Sequence, residues 1–216
     1  MHLTKLIEVT VDLVAQENKK HTVFLIVGQT ASGKDSLVNA ICKMGKPFKQ
    51  DIFGNYIGDP YTQLISYTTR PKRENEGNTH IFISKSDVEK YKDDMIAYTK
   101  IGEYEYFATK EQLRNCDFYI IDYDGVQYLR SKQLDDEFRF ITIYINTSDE
   151  LRRERALLNR KDNEEVFEKR NKAEIHQFMM MRTMSDFNYS INNIDFNKSL
   201  KILKHIVEVE REYEAI

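Results

Sequence analysis

The chain has no tryptophan, only two cysteines and three prolines, and no long apolar run among its 216 residues. Two cysteines cannot build the disulfide framework of a small secreted protein, and Cys42 and Cys116 lack the spacing of a metal site. We therefore expect reduced, structural thiols and a cytoplasmic location. No segment approaches the roughly 18 apolar residues of a membrane helix. The first twenty residues contain Asp and Glu rather than a continuous apolar core, which argues against a signal peptide.

Strong charge of one sign is also missing, because the formal net charge is −3. Such a chain has no overall attraction for nucleic acid or anionic membranes. Its thirteen tyrosines are spread along the sequence and do not alternate with basic residues as in a base-stacking surface. Nucleic acid and membranes are thus excluded as expected partners, and any affinity for phosphates must come from local clusters. The length fits one domain, as a monomer or a homodimer.

Strands and helices are predicted to alternate along most of the chain. This alternation is typical of an α/β fold in which helices cover both faces of a parallel sheet. The predicted strands lie at 22–27, 64–68, 117–122, 138–146 and 188–194, and the predicted helices at 37–44, 125–132, 150–159, 164–184 and 199–213.

Three segments do not follow the alternation. Residues 3–17 have apolar positions near helical spacing, which predicts a short amphipathic helix. Residues 45–62 contain three glycines and two prolines, which favours a loop, with an inserted flap as the alternative. Residues 79–109 predict a small β-rich insertion with strands at 79–84, 95–101 and 104–108. Within it, Ser86 with Glu89 and Thr109 with Gln112 have the spacing of capping boxes that begin helices.

The first motif is GQTASGKDS at Gly28–Ser36, which lies between the strand at 22–27 and the helix at 37–44. The spacing G-x-x-x-x-G-K of a phosphate-binding P-loop is met by Gly28, Gly33 and Lys34. The glycines let backbone N–H groups surround a polyphosphate, while the helix N-terminus and the lysine supply positive charge. The predicted nucleotide-binding residues are Gly28, Ala31, Ser32, Gly33, Lys34, Asp35 and Ser36.

Asp35 departs from this motif, because a P-loop usually has Ser or Thr there to offer a hydroxyl to Mg²⁺. We expect Asp35 to hold Mg²⁺, directly or through water, while Ser36 lies beside the α-phosphate. The alternative is that Asp35 points away. Asp122 ends a predicted core strand and is the second candidate for Mg²⁺, through its bound water. Its alternative role is to cap the helix that follows.

The second motif is SYTTRPKR at Ser66–Arg73, and with it the sequence resembles the guanylate kinase family of nucleoside monophosphate kinases. That family combines a P-loop with a later S-x-T-T-R-x-x-R segment. The resemblance covers nearly the whole chain after residue 22. It is carried by Ser66, Thr68, Thr69, Arg70, Arg73, Glu76, Gly77, Phe82, Tyr106, Lys110–Leu113, Asp122–Gly125 and the arginines of the long helices.

The resemblance implies a P-loop NTPase-type three-layer sandwich with a small β-rich NMP-binding insertion and a helical lid. The implied reaction moves the γ-phosphoryl group of ATP, with Mg²⁺, to (d)GMP or a related (d)NMP. The implied regions are an N-terminal extension at 1–20, a core at 21–65 and 116–216, an NMP-binding region at 66–115 and a lid at about 152–172.

The resemblance also assigns the acceptor nucleotide. Ser66, Arg70, Arg73 and Tyr106 match the residues that hold the monophosphate, and arginine forks bind phosphate oxygens in pairs. A solvated basic loop is the alternative for the two arginines. His80 stands where the family usually has a tyrosine, and an exposed strand-edge histidine is its alternative.

Base recognition is less defined. Asp124 fits a base-contacting carboxylate, but Ile96-Ala97-Tyr98 stands where the family carries a glutamate, and Ala108 where it has a small hydroxyl residue. Glu103 or Glu105 is a possible substitute, and a base other than guanine stays open.

The lid is the last implied element. Arg160 and Arg170 match the lid arginines best, Arg152 and Arg153 are expected on a solvated helix face, and Arg155 fits either role. The implied catalytic residues are Lys34, Arg70, Arg160 and Arg170. Two further hypotheses are a kinase for another small phosphorylated acceptor and a binding module without activity. The second is disfavoured because the P-loop glycines and lysine are kept.

Overall fold

The computed structural model describes residues 20–50, 53, 56–72, 77, 79–159 and 161–214 of the chain. The helix predicted at 3–17 lies outside these residues. The strands are β1 His21–Val27, β2 Gly45–Gln50, β3 Tyr56–Pro60, β4 Tyr67–Thr68, β5 Ile81–Phe82, β6 Met95–Ile101, β7 Tyr104–Thr109, β8 Phe118–Ile120, β9 Phe138–Asn146 and β10 Tyr189–Asn192. The α-helices are α1 Lys34–Cys42, α2 Lys110–Arg114, α3 Tyr123–Ser131, α4 Asp149–Glu154, α5 Glu164–Thr183 and α6 Phe196–Glu214; a 3₁₀ helix spans Lys85–Asp94 and a π-helical segment Arg155–Asn159.

The central sheet is parallel and has the strand order β10-β9-β1-β8. Strand β1 pairs with β9 over its whole length, from His21 opposite Phe138 to Val27 opposite Tyr144. Beyond β8, Gln63 forms a single parallel bridge to Phe118. Since parallel strands need crossover connections, this order confirms the α/β class predicted from the alternation.

Both faces of this sheet are buried, which explains why β1 is apolar at nearly every position. Val23, Leu25 and Val27 point to the face covered by α3 and α5, while Phe24 and Ile26 point to the face covered by α1 and α6. A strand buried on both sides cannot alternate apolar with polar residues. The result is a three-layer sandwich, and no helix among the described residues is long and apolar enough to cross a membrane.

The segment predicted as a loop at 45–62 is an antiparallel hairpin, so the loop prediction was wrong and the flap alternative is the closer one. Among the residues that the structure describes, strands β2 and β3 pair only with each other, with Gly45 opposite Pro60. Proline is tolerated in such a ribbon because each strand has an edge that needs no N–H donor. The glycines and prolines of residues 45–62 therefore did not indicate a loop.

The β-rich insertion forms a separate four-stranded sheet in the order β5-β4-β7-β6. Strands β6 and β7 form the predicted hairpin around Gly102. The capping box of Thr109 and Gln112 is confirmed at the start of α2. The one predicted at Ser86 is wrong, because the helix there is 3₁₀ and begins after Ser84, whose hydroxyl donates to Asp87.

Asp117 joins the hairpin, the sheet edge and the C-terminal helix. Its buried carboxylate accepts hydrogen bonds from Lys46 of β2, from Arg211 of α6, and from the backbone N–H and hydroxyl of Thr62. Burial alone would raise the pKa of Asp117, but the bonds from Lys46 and Thr62 outweigh it and hold this pKa below its ordinary value. The carboxylate is therefore charged at neutral pH and stabilises the fold.

We expect Asp117→Asn to lower the free energy of unfolding by about 2–4 kcal/mol at pH 7, because two cations lose their buried partner. Since the folded pKa is lowered, the loss is complete above the unfolded value of about 3.9 and shrinks as the pH falls through the folded value. Denaturant titrations of both proteins between pH 3 and pH 8 measure it. The control is Glu137→Gln, which breaks half-exposed ion pairs with Lys110 and Arg114 and is expected to cost under about 1 kcal/mol. Equal losses for the two variants would contradict the assignment.

Candidate active site

The P-loop connects β1 to α1, and both of its motif glycines are required by the space around them. Gly33 precedes α1 in a left-handed conformation with φ of 88°, and a Cβ there would lie 2.4 Å from Nδ2 of Asn193. A Cβ on Gly28 would lie 2.9 Å from the carbonyl oxygen of Ile145. The spacing of the motif therefore reflects close backbone packing as well as the room a phosphate needs.

The carbonyl group of Ser32 in the P-loop is held by side chains from other parts of the chain. The carbonyl of Ser32 accepts hydrogen bonds from Thr147, Asn193 and Arg155 at 3.0, 2.7 and 3.2 Å. With the carbonyl held in this way, the N–H groups at the start of α1, which have no partner within the helix, are left to face a ligand. The buried hydroxyl of Ser32 also has no hydrogen-bond partner among the described residues. Both features suit a polyphosphate, which accepts hydrogen bonds and donates few.

Lys34 begins α1 with only 18% of its side chain exposed. Its Nζ donates to the carbonyl of Gln29 at 3.4 Å and lies 3.9 Å from the Asp35 carboxylate. Burial raises the pKa values of Asp122 and Glu174, and the positive charge of Lys34 opposes this rise in both.

Asp122 follows β8 and caps α3, the alternative that the sequence had left open. Its Oδ1 accepts from the backbone N–H of Gly125 at 2.7 Å and from the hydroxyl of Thr99 at 3.1 Å. Burial is the main influence on the pKa of Asp122 and raises it. Because Thr99 belongs to β6, this carboxylate joins the second sheet to the central sheet near the end of β1, where the N–H of Ile121 donates to the carbonyl of Ile26 at 3.2 Å.

The two predicted magnesium ligands differ in exposure. The Asp35 side chain is 71% exposed on the first turn of α1, whereas Asp122 is half-buried. Within the described ranges, no three His, Cys, Asp or Glu side chains converge on one position. Mg²⁺ usually takes only one or two carboxylates and completes its shell with substrate phosphates and water, so this donor set still fits the ion.

Arg70 follows β4 and is 7% exposed, so it does not lie on a solvated loop. Its guanidinium lies 5.2 Å from the ring centre of Phe82 and donates to the carbonyl of Pro71 at 3.1 Å. These contacts hold the arginine at the second sheet. Arg73, its predicted partner, lies outside the described residues.

The other predicted acceptor residues belong to the same sheet or face it. Tyr106 of β7 pairs with Thr68 of β4, and its ring centre lies 5.6 Å from that of His80. The ring of His80 is half-buried, so it is not a freely exposed edge histidine. Ser66 precedes β4, and its carbonyl accepts from the N–H of Ile81. Asp124 is exposed on the first turn of α3.

The positions expected to read the base hold small side chains. Ala97 of β6 and Ala108 of β7 are register partners and are 2% and 0% exposed. Of the proposed substitutes, Glu105 accepts a hydrogen bond from Tyr98, and Glu103 pairs with Lys85 at the surface. Successive residues of a strand point to opposite faces, so Glu105 does not share the face of Tyr106.

The predicted lid lies against the P-loop. Phe167 of α5 and Ala156 pack against Ala31 of the loop. Arg170 is half-buried on α5, whereas Arg160 lies outside the described residues.

Two of the lid arginines have roles different from those expected. Arg152 is fully buried rather than solvated, because it donates to the carbonyl of Thr30, to Asp149 and to Asn171. Arg155 donates to the carbonyls of Ser32 and Asn193, so it too supports the P-loop. Arg153 is on the surface, as expected, and pairs with Glu164 and Glu168.

Several residues at the site had not been identified from the sequence. Arg182 of α5 donates to Gln29 at 3.3 Å, and Asn193 follows β10 and supports Ser32. Glu174 accepts a hydrogen bond from the P-loop itself. A signal existed for Glu174, since it lies four residues after Arg170 on a predicted helix and hence on the same helical face.

Comparison with known proteins identifies the group to which this arrangement belongs. The family model for guanylate kinase matches residues 20–210. The chain belongs to the guanylate kinase family. The guanylate kinase of Yersinia pestis bv. Antiqua (strain Antiqua) is 30% identical over 201 residues, which cover 88% of each chain. The guanylate kinase of Haemophilus influenzae (strain 86-028NP) is 28% identical over the same share.

A solved structure supports the fold. The crystal structure of guanylate kinase from Anaplasma phagocytophilum superposes with a TM-score of 0.56 at 14% identity, covering 89% of this chain and 87% of that one. The predicted family, the α/β fold and the enzyme class are therefore confirmed. The protein is a guanylate kinase-like nucleoside monophosphate kinase, a phosphotransferase, which disfavours a binding module without activity.

Proposed function

We propose that this enzyme transfers the γ-phosphoryl group of ATP to GMP or dGMP, giving the diphosphate and ADP. The observation that carries this proposal is the bond between Thr99 and Asp122. It joins the sheet that bears Arg70 and Tyr106 to Asp122, whose neighbour Ile121 donates its N–H to the carbonyl of Ile26, just before the P-loop. The proposed donor site and the proposed acceptor site are therefore adjacent. The relatives named guanylate kinase support the choice of acceptor.

The chemistry proposed is alignment and neutralisation of charge, without a covalent enzyme intermediate. The donor phosphates lie on the N–H groups of Gly28–Ser36, and Lys34 contacts their oxygens. Arg70 and Arg73 bind the acceptor phosphate, with His80 and Tyr106 beside it. Arg160 and Arg170 close over the migrating group and exclude water. Asp35 and Asp122 are the residues that would hold Mg²⁺, in part through water, and the ion would supply positive charge that offsets the charge of the phosphates.

Asp35 gives a test of the magnesium assignment. We expect Asp35→Asn to raise the Mg²⁺ concentration needed for half-maximal activity about tenfold, while ATP affinity measured without Mg²⁺ stays the same or increases. The reason is that the carboxylate attracts the cation but repels phosphates. Magnesium titrations of both proteins in a coupled assay measure the shift. An unchanged titration would mean that Asp35 points away from the metal.

Base selection is proposed to rest on Asp124, since Ala97 and Ala108 offer only methyl groups. Asp124 is exposed on α3 and carries a carboxylate that can accept from the N–H groups of guanine.

The test is a coupled assay of ADP formation with ATP and each of the common ribo- and deoxyribonucleoside monophosphates. We expect the highest kcat/KM with GMP or dGMP. A strong preference for adenine or a pyrimidine would overturn the choice of base, and absence of ADP with every acceptor would overturn the reaction.

A further inference from the structure

Glu174 of α5 contacts the P-loop, and the proposed reaction gives this contact no role. The backbone N–H of Thr30 donates to its Oε2 at 2.6 Å. This N–H belongs to the loop whose donors are proposed to bind the phosphates of ATP. A carboxylate from a distant helix, 144 residues along the chain, therefore accepts from a phosphate-binding loop.

Thr30 is held at both of its backbone groups. While its N–H donates to Glu174, its carbonyl accepts from Arg152 at 3.1 Å. Arg152 is in turn fixed by the side-chain oxygen of Asn171, on the same helix as Glu174, at 2.7 Å. The Thr30 N–H shares its peptide group with the Gln29 carbonyl, which accepts from the N–H of Ser32 at 3.1 Å, so this peptide is held at both ends with its N–H directed toward Glu174.

The charges around Glu174 are those that a phosphate would need. Burial is the largest influence on the pKa of Glu174 and raises it, and the nearby charges of Lys34, Arg152 and Arg170 act in the opposite direction. Lys34 and Arg170 are two of the residues proposed to contact the transferred phosphoryl group. The carboxylate therefore lies against a P-loop amide and one helical turn after Arg170, on the same face of α5.

We propose that Glu174 competes with the terminal phosphates of ATP for the Thr30 amide and its surrounding cations, and so sets the affinity for the donor. This inference rests on the proposed function, because it takes ATP as the ligand of the P-loop. One amide hydrogen cannot form a full hydrogen bond to a carboxylate and to a phosphate oxygen at the same time. The two anions would also repel each other if both lay beside it. Each ATP that binds must therefore displace the carboxylate.

The residue thus opposes donor binding, and Glu174→Gln tests the sign of its effect. Glutamine has the same shape and its oxygen can still accept from Thr30, but it carries no charge. We expect Glu174→Gln to bind ATP about five- to fiftyfold more tightly. The gain should be smaller for ADP and absent for adenosine, because it depends on the terminal phosphates. If Glu174 only supported the loop, the same variant would bind ATP equally or more weakly.

Calorimetric titration of the full chain with ATP, ADP and adenosine, without acceptor, measures these affinities. Glu174→Ala is measured alongside, since it also removes the charge and replaces Glu174→Gln if that variant does not fold. The control is Glu168→Gln, the same change on the same helix at a residue that pairs with Arg153 on the surface. We expect the control to bind ATP like the wild type, and melting curves verify that each variant is folded.

The outcomes separate the inference from the proposed function. Tighter ATP binding by the folded Glu174 variants, with the control unchanged, supports the inference. Wild-type binding of ATP together with equal or weaker binding by both variants overturns the inference alone. A wild-type chain that neither binds ATP nor forms ADP with any acceptor overturns the proposed function and removes the basis of the inference.

Discussion

Lys34→Ala is expected to lower kcat by at least about 10³-fold while the protein stays folded. The lysine is proposed to supply the full positive charge at the P-loop, and removal of a preorganised charge partner in phosphoryl transfer costs rates of this order. The variant also leaves Asp35 without the cation that lies 3.9 Å from its carboxylate. This carboxylate would then repel the incoming triphosphate, so ATP affinity is expected to fall as well.

The measurement is ADP formation in the coupled assay, together with calorimetry of ATP binding and a melting curve. Lys43→Ala is the matched control, because Lys43 is an exposed lysine at the other end of the same helix. We expect this control to keep wild-type activity. Full activity in Lys34→Ala would contradict the assignment of the P-loop as the donor site.

Arg70→Ala is expected to lower kcat/KM for the acceptor by at least about 10²-fold and to leave ATP affinity unchanged. The guanidinium is nearly buried and is held by Phe82 and Pro71, so it is preorganised for an anion at the second sheet. Arg70→Lys is expected to restore only part of the loss, because an ammonium group cannot bind two phosphate oxygens as a fork does.

Kinetics with the acceptor varied at saturating ATP measure this effect. Arg114→Ala is the control, since Arg114 is a surface arginine of the same region that pairs with Glu137. A loss of ATP binding in Arg70→Ala, with the KM for the acceptor unchanged, would place Arg70 in the donor site and contradict our division of the two sites.

Much of the fold could be predicted because its signals are local. The apolar strand at 138–146 was predicted with the bounds that the structure has, and the capping box at Thr109 with Gln112 begins α2. The hairpin of β2 and β3 could not be predicted in this way. Its glycines and prolines are turn residues in general, and only the pairing of two edge strands makes them acceptable.

The site was predicted less completely, for a physical reason. A motif such as Gly28–Ser36 is contiguous, so its residue types and spacing reveal the chemistry. Arg152 was expected on a solvated face because charged helical residues usually are, and its burial follows from partners at Thr30 and Asn171 that only the folded chain brings close. Glu174 escaped notice for the same reason, since its partner lies far away in the sequence.

The most direct test of our central claim is to follow the γ-phosphoryl group itself. ATP labelled with ³²P at the γ position is incubated with the enzyme, Mg²⁺ and GMP, and the products are separated. We predict that the label appears in the β-phosphate of GDP at the rate of ADP formation, and that Lys34→Ala abolishes it. Label found in inorganic phosphate, or left in ATP while the wild-type enzyme binds both nucleotides, would contradict phosphoryl transfer as the function of this site.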